Sequence, residues 1–225
     1  MKYLFEACTA SMMSVEEAVL GGAERIELCT ALPLGGLTPS IGMIKAVRSN
    51  APRLTIHLLV RPREGDFVYR EDEIAVMERD MEEALPFVDG FVCGALLPTG
   101  DIDTATMRRL IKVASGKPVT FHRAFDVCRD PVMGLEQVID LGCSRLLTSG
   151  QQPTAVEGIP LLRRLHSLAA GRIIIMPGSG VNERNARQII EQTGVCEIHG
   201  SASSSNGITN HEIVRRIIEE VRDER

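Results

Sequence analysis

Short apolar runs alternate along the chain with longer segments in which apolar residues recur at i, i+3 and i+4. The short runs are rich in β-branched residues and predict buried strands, whereas the longer spacing predicts amphipathic helices. The strand-like runs begin near residues 3, 24, 54, 88, 118, 144, 172 and 196. Strands and helices that alternate in this way indicate a parallel sheet covered by helices.

The number of units favours closure of the sheet into a (β/α)8 barrel, or TIM barrel, with residues 1–225 forming a single domain. An open doubly wound sheet has about five or six strands, and no G-x-G-x-x-G motif follows the first strand. Helix starts are also predicted: Ser14 is expected to cap the first helix, Ser40 the second, and Asp130 with Pro131 the fifth.

Several strand-like runs end on charged residues, among them YLFEAC, RIELC, LTIHLLVRP and PVTFHRAFDV. In a (β/α)8 barrel the carboxyl ends of the strands carry the chemistry, so these side chains are predicted to meet at the barrel mouth. The set comprises Glu6, Glu27, His57, Arg61, His122, Arg123 and Asp126. It is typical either of an ion-pair network that fills the mouth or of a site for acid–base chemistry. The candidates for proton transfer are Glu6, Glu27, His57, His122 and Asp126.

Cys8 and Cys29 close the first two strands in matching E-x-C sequences. Side chains alternate along a strand, and the first two strands are neighbours in a barrel, so the two thiols are expected to stand side by side. Paired thiols are typical of a site for a soft ion such as Cu(I). The alternative is that each cysteine packs as a small apolar residue, as buried cysteines usually do.

The loops after the last two strands contain Gly178-Ser179-Gly180 and Gly200-Ser201. In this fold these loops often bind phosphate, although the glycines alone also fit a tight turn. The predicted anion-binding set is Arg61, Arg123, Ser149, Gly178, Ser179, Gly180, His199 and Ser201.

Composition excludes several classes of protein. The net charge of −5 and the aromatic content of 4% give no basis for nucleic-acid binding. No apolar run approaches the roughly 20 residues that a membrane span requires.

The N-terminal residues are interpreted as the first strand and not as an export signal, which predicts a cytoplasmic protein. The six cysteines are then expected to be reduced, and their spacing does not fit a structural zinc site.

A series of longer motifs follows in order between Glu6 and Ala202: LFEACTASM, GGAERIELC, GGLTPS, HLLVRPREGDFVY, VTFHRAFD, LGCSRLLTSGQ, PGSGV and EIHGSA. Together they resemble the CutC family of copper-homeostasis proteins. The resemblance implies a cytoplasmic TIM barrel that dimerises and binds Cu(I), with Cys8 and Cys29 as the copper ligands. One difference is the connection between Ala202 and His211, which is shorter here than in many relatives.

Two functions from different classes are therefore predicted. The first is a cytosolic protein of copper homeostasis that binds Cu(I) through thiols at the barrel mouth. The alternative is an enzyme that uses acid–base chemistry on a small phosphorylated or otherwise anionic metabolite, and whether the protein is an enzyme is left open. A non-catalytic interaction scaffold is a third interpretation, and it has no use for the charged residues at the strand ends.

Overall fold

The computed structural model describes residues 3–204 and 207–222. Strands and helices alternate throughout this part of the chain. The strands are β1 Leu4–Thr9, β2 Arg25–Leu28, β3 Thr55–Leu59, β4 Gly90–Cys93, β5 Val119–Phe121, β6 Arg145–Thr148, β7 Ile174–Pro177 and β8 Glu197–Gly200. The helices are α1 Met12–Leu20, α2 Ile41–Asn50, α3 Glu71–Ala84, α4 Thr104–Val113, α5 Pro131–Asp140, α6 Ile159–Ala169, α7 Ala186–Thr193 and α8 His211–Arg222. Short 3-10 segments occur at Leu32–Leu34, Leu85–Phe87 and Arg123–Val127.

All eight strands are parallel and form one sheet in the order β7-β6-β5-β4-β3-β2-β1-β8. Strands β7 and β8 stand at the two ends of this order and lie against each other, so the barrel is nearly closed. The first and last strands pair directly, with Glu6 opposite His199. The structure confirms the predicted single-domain (β/α)8 barrel.

The strands bury both faces, and the two faces differ in chemistry. Ile26, Leu28, Ile56 and Leu58 are fully buried in the main hydrophobic core, together with apolar residues of the helices. The alternate residues of β2 and β3 face the barrel interior, where a small separate cluster contains Cys8, Cys29, Leu59 and Val92. This alternation explains how charged residues interrupt apolar strands without reaching the helix layer.

Helix capping agrees with the predictions at two of the three positions. Ser40 accepts a hydrogen bond from the Met43 N–H, and Asp130 accepts from the first turn of α5. The prediction for Ser14 was wrong, because α1 begins earlier and Ser11 is its cap, accepting from the Ser14 N–H at 3.1 Å. The Ser14 hydroxyl instead accepts from the N–H of Thr209, next to the last helix.

None of the helices in the described residues is both long enough and apolar enough to cross a bilayer. The short connection between Ala202 and His211 contains Ser205 and Asn206, which lie outside the described residues. Its flanks pair with each other through a bridge between Ser203 and Thr209.

Candidate functional site

The amino-terminal half of the barrel interior contains an ion-pair network formed by Glu6, Arg25, Arg145 and Glu197. The Nε atom of Arg25 donates to Glu6 Oε2 at 2.5 Å, and its Nη2 atom donates to Glu197. Arg145 Nε donates to the same Glu197 carboxylate at 2.7 Å. Arg25, Arg145 and Glu197 are the first residues of their strands, so the network fills the end of the barrel that usually determines stability.

Two histidines connect this network to the barrel mouth. His199 Nδ1 lies 3.0 Å from Glu6 Oε1, and His57 Nδ1 lies 3.1 Å from Glu6 Oε2 but is not aligned for a hydrogen bond. Burial by itself would raise the pKa of Glu6. The charge of Arg25 and the contacts with the two histidines outweigh burial, and they hold the pKa well below its usual value. Glu6 is therefore an ionised group inside the barrel.

Closer to the mouth, Cys8, Glu27 and His199 form a cluster whose ligand atoms all lie within 4.8 Å of one another. Cys8 Sγ lies 3.3 Å from Glu27 Oε1 and 3.8 Å from Cys29 Sγ. His199 Nε2 lies 4.0 Å from Glu27 Oε1, and its Nδ1 atom contacts Glu6. A carboxylate behind a histidine fixes the orientation of the ring, as in many metal sites.

The groups of this cluster influence one another's protonation. The contact with Cys29, burial and the Glu27 carboxylate raise the pKa of the Cys8 thiol well above its usual value. Burial and the Glu6 carboxylate raise the pKa of Glu27, although His199 favours its ionised form. Burial alone would lower the pKa of His199, but the Glu27 and Glu6 carboxylates outweigh it and raise that pKa.

A cavity of about 270 Å³ opens at the carboxyl ends of the strands. The predicted site residues that line it are Cys8, Glu27, Arg61, His122, Arg123, Ser179, Gly180, His199 and Ser201. The rest of the lining is mainly apolar and consists of Leu32, Gly35, Leu59, Phe67, Leu147, Val181 and Gly200. The cavity therefore has polar groups from six strand ends around a small apolar wall.

One side of the cavity consists of Arg61, Phe67 and His122. The Phe67 ring packs 4.9 Å from the Arg61 guanidinium and 4.9 Å from the His122 ring, measured to the ring centroid in each case. Burial, together with the charges of Arg61 and Arg123, lowers the pKa of His122 to about 3. His122 is thus neutral at physiological pH. Its Nδ1 atom accepts from the Ala124 N–H at 3.2 Å, which places the ring proton on Nε2.

Six predicted site residues do not line the cavity: Glu6, Cys29, His57, Asp126, Ser149 and Gly178. Glu6 and His57 lie deeper in the barrel, beside Arg25. Cys29 is fully buried beneath Gly36, where an added Cβ would lie 3.7 Å from its Sγ atom. The period of two along a strand predicts the face of each residue but not its depth.

The remaining three of these residues support the loops around the mouth. Asp126 accepts hydrogen bonds from Arg123 Nε at 2.7 Å and from the Ser149 N–H at 2.9 Å. The Ser149 hydroxyl donates to the carbonyl oxygen of Gln152. At Gly178 an added Cβ would lie 2.6 Å from Leu147. Asp126 and Ser149 therefore join the loops after β5 and β6.

Sequence reasoning missed Arg25, Arg145 and Glu197, and it did not single out Phe67 as a wall of the cavity. Arg25 and Glu197 were detectable, because each stands two residues before a predicted site residue on the same strand face. Arg145 gives a weaker signal, since LLT follows it without another charge.

The fold and the site together define a single-domain (β/α)8 barrel with a buried thiol, carboxylate and imidazole cluster that opens on a small cavity. The model of the CutC family matches residues 3–204, and the chain belongs to the CutC family.

Individual relatives support this assignment. A CutC family protein of Bacteroides thetaiotaomicron is 50% identical over 205 residues, which cover 91% of this chain and 82% of the relative. The copper homeostasis protein cutC homolog of Homo sapiens is 44% identical over 204 residues, covering 90% of this chain and 74% of that protein. The crystal structure of CutC from Streptococcus agalactiae superposes with a TM-score of 0.85 at 33% identity, covering 88% of this chain and 98% of that chain.

Proposed function

We propose that this protein takes part in copper homeostasis by binding Cu(I) at the barrel mouth through Cys8 and Cys29. The observation that carries the proposal is the distance of 3.8 Å between the two Sγ atoms, which one soft ion can bridge. Thiolates are the protein ligands that favour Cu(I) over hard metal ions. The names of relatives such as the human homolog, which refer to copper homeostasis, support the same function.

The surroundings of the two thiols suit a bound ion. Cys8 lines the cavity, so an ion can reach it from solvent, whereas Cys29 is closed off beneath Gly36. His199 and Glu27 offer further donor atoms close to Cys8 Sγ. A set of Cys8, Glu27 and His199 without Cys29 also resembles the mixed donors that Zn²⁺ accepts, so zinc is the competing metal.

Anaerobic titration of Cu(I) against a competing chelator tests the proposal. We expect the wild-type protein to take up one Cu(I), and the Cys8→Ala/Cys29→Ala variant to lose this uptake. The matched control is Cys93→Ala/Cys143→Ala, which removes two buried thiols from the main hydrophobic core. Unchanged Cu(I) uptake in the first variant contradicts the proposal, and so does tighter binding of Zn²⁺ than of Cu(I) by the wild type.

A cytoplasmic location and a homodimer belong to the same proposal and rest on the family resemblance. All six cysteines are free, as expected in a reducing compartment. Cell fractionation and light scattering of the purified protein test the two statements separately.

A second candidate function is acid–base catalysis, and it is favoured by the arrangement of Glu6, His199 and Glu27. His199 stands between the two carboxylates, with Nδ1 3.0 Å from Glu6 and Nε2 4.0 Å from Glu27, and Glu27 lines the cavity. Such an arrangement can hold Glu27 in place to remove or deliver a proton. Dihydroxyacetone phosphate in D₂O is a suitable probe, because NMR detects deuterium incorporated next to its carbonyl group. Deuterium incorporation by the wild type that is lost in Glu27→Gln supports this function. If the wild type incorporates no deuterium, this function is contradicted.

A further inference from the structure

Arg61 carries a buried positive charge that no carboxylate among the described residues balances. Its two Nη atoms donate to the carbonyl oxygens of Leu34, Gly36 and Gly65 at 2.9 to 3.2 Å, and its Nε atom has no partner. All three acceptors are uncharged. Arg123, on the same cavity wall, pairs with Asp126 instead. Buried charges in proteins are normally paired, so Arg61 is suited to an anion from outside the chain.

His122 provides an independent second observation. Its Nδ1 atom is occupied by the Ala124 N–H, so Nε2 carries the proton, and this buried donor has no acceptor among the described residues. The ring lines the cavity and packs on Phe67, which also packs on Arg61. A cation without a counter-ion and a donor without an acceptor therefore both pack on one aromatic ring.

The loop after β7 contributes donors from across the barrel. Ser179 and Gly180 have consecutive positive φ angles of 82° and 71°. The N–H groups of Gly180 and Val181 donate no hydrogen bond within residues 3–204 and 207–222. Successive N–H groups in a turn of this kind form a concave anion-binding surface. Strand β7 lies four strands from β3, so this loop and Arg61 face each other across the mouth.

We propose that the cavity binds a small phosphorylated carboxylic acid, with the phosphate on the Ser179–Val181 loop and the carboxylate at Arg61 and His122. Two anionic ends suit the two sets of donors, which lie on opposite sides of the cavity. The volume of about 270 Å³ suits a molecule smaller than the ligands of typical drug-sized pockets. The proposal goes beyond copper binding and does not depend on it, and it supplies a ligand class for the second candidate function.

Calorimetry on copper-free protein tests the proposal with 2-phosphoglycolate, inorganic phosphate and glycolate as separate probes. We expect 2-phosphoglycolate to bind more tightly than either of the other two. In Arg61→Gln its binding weakens about tenfold or more, the scale of losing a charge-assisted contact, while binding of inorganic phosphate changes little.

Arg63→Gln is the matched control variant. Arg63 also holds carbonyl oxygens of this loop, at Asp66 and Val68, but its charge is balanced by Glu73 and Asp66 and it does not line the cavity. If both variants bind 2-phosphoglycolate more weakly and to the same extent, the proposal is overturned. The loss would then come from a change in loop structure or in net charge and not from Arg61 itself.

The wild-type protein provides a test that does not depend on the folding of a variant. We expect 2-phosphoglycolate to shift the ¹⁵N resonance of His122 Nε2, and sodium chloride at the same ionic strength to leave it in place. An unchanged resonance at saturating 2-phosphoglycolate, or the same shift with chloride, overturns the proposal. Copper is absent throughout, so failure of this proposal and failure of the copper proposal are separate results.

Discussion

His199 Nδ1 lies 3.0 Å from Glu6 Oε1, and this contact joins the last strand of the barrel to the first. Both side chains are buried, and Glu6 also accepts from Arg25 on the second strand. The contact therefore has two consequences: it holds together strands from the two ends of the chain, and it orients His199 toward Cys8 and Glu27 at the mouth.

Replacing Glu6 by alanine should destabilise the protein strongly. The variant leaves Arg25 buried with only Glu197 as a charged partner, and removing one partner of a buried ion pair costs about 3–5 kcal/mol. Urea unfolding at neutral pH measures the loss. The control is Glu82→Ala on the exposed side of α3, where we expect a change within about 0.5 kcal/mol. A loss in Glu6→Ala as small as in the control contradicts this interpretation of the network.

The stability contributed by Arg145 should depend on pH through Glu197. Burial would raise the pKa of Glu197, but Arg145 and Arg25 outweigh burial and lower it below its ordinary value of 4.5. A lowered carboxyl pKa stabilises the fold above the ordinary value, and this stabilisation is lost as the pH falls through the lowered pKa. Arg145→Gln should therefore be less stable than the wild type at pH 7.

The difference between the two proteins should then shrink as the pH falls below 4.5, because protonated Glu197 no longer gains from Arg145. Urea unfolding at a series of pH values measures this convergence. Arg172→Gln, which breaks an exposed ion pair with Glu136, serves as the control and should follow the wild type at each pH. If the free energies of unfolding of Arg145→Gln and the wild type differ by the same amount at every pH, protonation of Glu197 has no part in the effect.

Two glycine substitutions should have opposite effects. An added Cβ at Gly90 would lie 2.8 Å from the His57 ring and 2.9 Å from the Pro118 carbonyl oxygen, so Gly90→Ala should cost about 1–3 kcal/mol. At Gly42 on α2 the nearest atom would be 3.8 Å away, so Gly42→Ala should be neutral or stabilising by up to about 1 kcal/mol. Thermal unfolding of both variants measures the contrast. Equal melting temperatures would mean that β4 and His57 move apart easily.

Labelling with a thiol reagent should distinguish Cys196 from the other five cysteines. Cys196 is partly exposed, whereas Cys8, Cys29, Cys93, Cys128 and Cys143 are buried. We expect one fast phase with an aromatic disulfide reagent under native conditions, lost in Cys196→Ser, and five slow thiols that react only on unfolding. Fast reaction of Cys8 in that variant would show that the barrel mouth opens on the timescale of labelling.

The architecture could be predicted from the sequence because the spacing of apolar residues identifies each strand and helix within a short segment, and the number of strand-like runs then indicates the barrel. The eight strand starts fall within two residues of those observed, and the caps at Ser40 and Asp130 follow from residue type and position. The prediction that Ser14 caps α1 was wrong because Ser11 and Ser14 stand three residues apart, and either serine could be the cap. Only the contact of Ser14 with Thr209 distinguishes the two.

The candidate site was less predictable, since depth inside a barrel depends on how far neighbouring strands are shifted along each other. Glu6 and Cys8 share one strand face, yet Glu6 lies in the interior network and only Cys8 lines the cavity. The uncompensated charge of Arg61 was also not predictable. It depends on which carboxylates lie nearby in space, and the carboxylates of Asp66 and Glu73 are both turned toward Arg63.

The interior network draws its charges from β1, β2, β6 and β8, so no contiguous stretch of the chain holds a complete set. A fragment that ends before β8 would lack Glu197 and His199, and it would leave Arg145 inside an unfinished barrel without its carboxylate. Each half of the barrel contains one pair of the network, Glu6 with Arg25 and Arg145 with Glu197, and the contacts of Arg25 with Glu197 and of His199 with Glu6 join the two halves. Closure of the last strand against the first is therefore the contact that completes the network.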